Sequence, residues 1–137
     1  MTVIQEGALN FSFDAGSHAC KYDNWAFYRN QFQNGCCRDN KAVDLLCHSG
    51  ENAWLIEVKD YRLHVRTKAV DLADEIAIKV RDTLAGLLAA KVQANDADEK
   101  GYARAILRKN TLRVVCHIEQ PLKVSRLRPR VIEPDKL

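Results

Sequence analysis

The chain has 137 residues, 47% hydrophobic and 28% charged, with a net charge of +3. That length holds one domain with a core of its own, and the composition excludes a chain too polar to fold. No apolar run reaches the roughly 20 residues needed to cross a bilayer, and the opening MTVIQEGALNF lacks the basic start and apolar centre of a secretion signal, so the chain reads as cytoplasmic, without a membrane contact.

Leu9, Phe11 and Phe13 alternate with polar residues, the period of a strand. Asp14 to Ser17 breaks it, with Ser17 as a candidate helix cap. Tyr22, Trp25, Tyr28 and Phe32 then recur at helical spacing, which predicts a helix from Ser17 to about Gln33 laying aromatic rings on a sheet, ended by Asn34-Gly35. Lys41–His48 and Ala53–Lys59 read as two strands joined by the turn Ser49-Gly50-Glu51-Asn52. A long helix follows from about Lys68 to Ala94, with Leu72, Ile76, Val80, Leu84, Leu87 and Leu88 on its apolar side and many alanines supporting it. Asn95–Gly101 is a polar break, Tyr102–Leu107 a short helix, and Thr111–Ile118 a strand with a β-branched centre. Pro121 and Pro129 favour an irregular tail. The order predicts a single α/β domain over residues 1–120, a mixed sheet flanked by helices, followed by a tail over 121–137.

That tail carries five bases against two acids, while the rest of the chain is balanced. Arg126, Arg128 and Arg130 within it suit a phosphate backbone, or simply a solvated terminus. Five cysteines, an odd number, read as reduced thiols. Cys47-His48 and Cys116-His117 are adjacent pairs, which a strand points to opposite faces, and no Cys-x-x-Cys is present, so structural zinc is disfavoured.

Chemistry concentrates at Asp44, Glu57 and Lys59. On a strand, positions 55, 57 and 59 share a face while Trp54, Ile56 and Val58 turn into apolar packing. Folding the two strands about the 49–52 turn brings Asp44 opposite Glu57. Asp44 sits among Ala42, Val43, Leu45 and Leu46, where a carboxylate needs a partner. Two carboxylates, the Val58 carbonyl and an ammonium suit Mg²⁺, with Mn²⁺ as a substitute, acting on a phosphoryl group. Lys59 can stabilise the charge that builds there.

Asp44, twelve intervening residues, then Glu57-Val58-Lys59 on an apolar strand resembles the signature of the PD-(D/E)xK nuclease superfamily. The resemblance covers roughly residues 16–118. It implies a restriction-endonuclease-like core, Asp44 and Glu57 as metal ligands and Lys59 as the catalytic lysine. It further implies metal-dependent hydrolysis of phosphodiesters in DNA, with RNA left open. Size and spacing are similar to Holliday junction resolvase-like members, which act as homodimers. Val43 stands where the family name has proline, and Asp23 is the acidic candidate on the first helix. Lys21 and Arg62 are candidate substrate contacts. Asp98-Glu99-Lys100 repeats the triplet in a polar loop and lacks the strand context. Two alternatives stand beside hydrolysis: a nuclease-fold nucleic-acid-binding module without catalysis, and an assembly subunit using the apolar helix at 70–92.

Overall fold

The computed structural model describes residues 1–35 and 38–121. They form a small α/β domain around a four-stranded mixed sheet, with a separate two-stranded hairpin. The hairpin joins β1 (Thr2–Glu6) to β2 (Leu9–Phe13). Its two-residue loop places Gly7 at φ +59°, a conformation that glycine adopts without strain.

The main sheet runs β3 (His18–Lys21), β4 (Leu45–Ser49), β5 (Asn52–Asp60), β6 (Thr111–Glu119). β3–β4 and β4–β5 are antiparallel and β5–β6 is parallel. Gly50, at φ +55°, closes the β4–β5 turn and pairs Leu45 with Ile56 and Leu46 with Leu55. Between β5 and β6 lie α2 (Leu72–Gln93) and α3 (Ala97–Leu107). Asp96 caps α3, accepting from the Asp98 and Glu99 N–H groups at 2.9 and 3.0 Å.

One sheet face and the inner sides of α2 and α3 enclose Val43, Leu46, Leu55, Leu87, Ala90, Ala103 and Ile106. Burying a leucine, isoleucine or valine of this kind contributes about 1.5–3 kcal/mol. On the other face, Phe11 of the hairpin meets His117 edge-on at 5.1 Å. Trp54 is half-buried on that face, whereas Trp25 belongs to the core.

The expected helix over 17–33 is corrected. His18–Lys21 is a strand, because its backbone pairs with β4 and so lines the sheet edge. A 3₁₀ turn (Tyr22–Asn24), a π-helical run (Phe27–Phe32) and one α-turn, α1 (Gln33–Gly35), follow. The aromatic residues are buried as expected, but through a widened helix that the packing imposes. Ser17 caps nothing; its N–H donates to the Asp14 carbonyl. β1 has no counterpart among the expected strands, β4 begins at Leu45 rather than Lys41, and Asp98-Glu99-Lys100 lies in the first turn of α3 rather than in a loop. Glu99 there accepts from the N–H groups of Ala26 and Phe27, both at 2.9 Å, and so holds the start of the aromatic segment.

Candidate functional site

Asp44 immediately precedes β4, and the β4–β5 register carried one step further sets it across from Glu57. Its Oδ2 accepts from the Val58 N–H at 2.8 Å, and its carbonyl accepts from the Tyr22 N–H at 3.2 Å. The second bond ends β3 and turns the chain so that Asp23 follows beside Asp44. Glu6, from β1, completes a group of three: one carboxylate oxygen each from Glu6, Asp23 and Asp44 lies within 4.8 Å of the others. Burial, then the Glu6 and Asp44 charges, push the Asp23 carboxyl up, against Lys21 and Arg29. Asp23 Oδ1 is shielded from solvent and has no hydrogen-bond partner among the described residues. Three hard oxygen donors with an unsatisfied one among them fit a divalent cation such as Mg²⁺.

Glu57 is 1% exposed. Its Oε1 accepts from Lys79 at 2.9 Å, with Lys59 at 3.9 Å, while Oε2 finds no partner among the described residues. Burial and the adjoining Asp44 raise its carboxyl to about 8, outweighing Lys79. On Lys79, burial opposes the charge, but the bond to Glu57 together with the Glu57, Asp44 and Glu75 charges more than offsets it, so the ammonium is retained.

Lys59 is directed to Glu75 of α2, 2.7 Å away. The same carboxylate takes Lys68 at 2.6 Å and Arg66 at 2.6 Å. Burial pulls Glu75 up, but these three cations prevail and hold it at about 2. Arg66 is itself oriented by bonds to Tyr61 Oη and the Val70 carbonyl.

The sequence therefore placed Asp44, Glu57 and Lys59 in one neighbourhood, and missed Glu6, Glu75 and Lys79. The signal for the helix pair was available: Glu75 and Lys79 are four apart and fall on the inward side of α2 with Leu72, Thr83 and Leu87. Of the expected substrate contacts, Lys21 pairs with Glu6 at 2.8 Å and Arg62 with Asp60 at 2.7 Å. Arg126, Arg128 and Arg130 lie outside the described residues. Cys20, Cys47 and Cys116 are free thiols, and among the described residues no cysteine joins a cluster able to hold a metal. No helix of the described residues is long and apolar enough to cross a membrane.

Comparison with known proteins changes the functional assignment. A cysteine–tRNA ligase of Neisseria meningitidis serogroup A is 36% identical over 159 residues, covering 94% of this chain. The chain spans only 23% of that ligase's length. No family model and no solved structure matches.

This similarity overturns the nuclease function expected from the Asp44/Glu57/Lys59 pattern. In the structure Lys59 pairs with Glu75 at 2.7 Å and Glu57 with Lys79 at 2.9 Å. A short pattern of acidic and basic residues on paired strands serves buried ion pairing as readily as hydrolysis.

Proposed function

We propose that this chain is a tRNA-directed module of the kind contained in a cysteine–tRNA ligase, binding the RNA phosphate backbone. The observation that carries the proposal is the 36% identity across nearly the whole chain, confined to 23% of the ligase. Such coverage fits one domain of a multidomain enzyme, and the reading assigns tRNA handling to this module. The arrangement of charge supports it. Lys59, Arg66 and Lys68 exceed the single Glu75 carboxylate they share, a surplus suited to a polyanion.

We further propose a PD-(D/E)xK-like core that retains the family's framework. An antiparallel hairpin followed by a parallel strand, with Asp44 and Glu57 on the adjoining strands, supports that reading. Glu6, Asp23 and Asp44 would hold a divalent cation, which would neutralise RNA phosphate charge close to the module. The Val58 N–H keeps Asp44 oriented toward that cluster, and Lys21 steadies Glu6.

The test is titration of the chain with labelled tRNA and with duplex DNA, with Mg²⁺ or with a chelator. The expected result is salt-sensitive binding that favours tRNA, together with a Mg²⁺-dependent rise in melting temperature that is absent in Asp44→Asn. Equal affinity for DNA, or no binding of tRNA, would refute the proposal.

A further inference from the structure

Three cavities border the Lys68 side chain, and two of them carry three cations each. The smaller, about 200 Å³, is walled by Lys59, Tyr61, His64, Arg66 and Thr67 together with Lys68. It is below the roughly 300–1,000 Å³ of sites that enclose whole small molecules, so it suits one polar group of a larger ligand. The larger, about 430 Å³, shares Lys68 and adds Lys41, Lys79 and Glu75, with Val70 and Ile78 as an apolar wall.

The charges in this trough do not balance. Two ammonium groups, Lys59 and Lys68, sit on the same Glu75 oxygen at 2.7 and 2.6 Å, and the Arg66 guanidinium takes the other. Like charges held this close repel; Glu75 neutralises only one of the three, and the other acid in reach of Lys59, Glu57 at 3.9 Å, is itself taken by Lys79 at 2.9 Å. Asp60, the acid that also borders the smaller cavity, is already engaged by Arg62 through two side-chain bonds. The Lys41 ammonium forms no ion pair among the described residues; only its backbone N–H is held, by Asp82. Lys68 has a side chain 57% exposed and can turn toward a ligand while Lys59 and Arg66 stay fixed.

We infer that this trough is the phosphate-binding element of the module: the smaller cavity seats a backbone phosphate of tRNA, the larger takes the attached sugar and base with the Lys41 ammonium on the neighbouring phosphate, and Glu75 is a positioning residue that gathers the three cations. The inference rests on the tRNA-directed reading above and localises it. A phosphoryl oxygen set would receive donors from Lys68, Arg66, His64 and Thr67, a combination of charge and hydrogen bonding that a carboxylate alone does not satisfy. The apolar wall of Val70 and Ile78 offers a nucleobase a sequence-independent surface.

The experiment measures tRNA affinity against salt concentration for the wild type, Lys68→Ala, Lys41→Ala and Lys109→Ala. Lys109 is the control; it donates to the Gly50 carbonyl at the far turn of the hairpin. Removing one ammonium that pairs with a phosphate should lower the slope of log affinity against log salt by about 0.7–0.9. The expected result is that decrease for Lys68→Ala and for Lys41→Ala, with no change for Lys109→Ala and unchanged melting temperatures in all three. Wild-type binding of tRNA with an undiminished slope in both trough variants would overturn the trough while leaving the tRNA reading intact. No wild-type binding of tRNA would remove both. A second arm adds inorganic phosphate alone. A melting-temperature rise abolished by Lys68→Ala, with tRNA affinity untouched by that substitution, would make the cavity a free-phosphate site and overturn the RNA assignment.

Discussion

Gly86 lies in the middle of α2, where glycine is about 1 kcal/mol less favourable than alanine. On helix propensity alone, Gly86→Ala should stabilise the protein. The packing predicts the opposite. A Cβ at position 86 would collide with Tyr22 Oη and would stand 3.3 Å from the Phe32 ring carbons Cδ1 and Cε1. Tyr22 is 0% exposed and cannot swing aside. Overpacking of this kind costs about 1–3 kcal/mol, which more than cancels the propensity gain. Gly86→Ala should therefore destabilise the domain by about 1–2 kcal/mol in urea unfolding followed by circular dichroism, with a lower midpoint and an unchanged slope. The Tyr22 hydroxyl is also buried without a hydrogen-bond partner among the described residues. Removing it in Tyr22→Phe relieves a cost of about 1–3 kcal/mol that an unsatisfied buried hydroxyl imposes, offset in part by looser packing. Tyr22→Phe should accordingly be close to neutral or stabilising. In that background Gly86→Ala should cost less, with a coupling of about 0.5–3 kcal/mol. A stabilising Gly86→Ala, or a cost unaltered by Tyr22→Phe, would refute this account of the helix packing.

Two other predictions test the charged framework. The Glu75 carboxyl is held at about 2, below its unfolded value near 4.5, so its stabilisation is fully present above pH 4.5 and is lost as pH falls toward 2; Glu75→Gln should flatten that acid limb of the melting curve. Glu99→Ala removes the acceptor for the Ala26 and Phe27 N–H groups and should cost about 1–3 kcal/mol in chemical denaturation, with Glu99→Gln recovering part of it.

Regular elements were legible where one periodicity dominated. β5 and β6 alternate or run β-branched, and α2 repeats its leucines every three to four residues; all three appear within a few residues of their expected bounds. Residues 18–35 were not legible because two readings of one segment compete. Spacing of the aromatic residues favours a helix, whereas the hydrogen-bonding demand of the β4 edge makes His18–Lys21 a strand. Tertiary pairing decided, and the helix was left to start late and wide. Asp44, Glu57 and Lys59 could be brought together because the turn at Gly50 fixes the register. Glu6 could not, since it arrives from a separate hairpin, and for Glu75 the i, i+4 spacing with Lys79 marks the inward side of α2 without saying which strand residue it meets. The same isolation explains why the triplet alone misled about function: its meaning depends on which residues face it from elsewhere.

The parallel junction of β5 with β6 has a consequence for the history of the chain. The β4–β5 hairpin is closed by a short turn and can form on the microsecond scale typical of hairpins. Asn52 and Thr111, in contrast, pair across about sixty intervening positions, a non-local closure of the kind that slows folding. During synthesis β5 emerges well before its second neighbour. Until α2, α3 and β6 follow, its outer backbone edge and the apolar side chains of Ala53 and Leu55 face the surroundings, an interval in which this strand is the most exposed to pairing with the wrong chain.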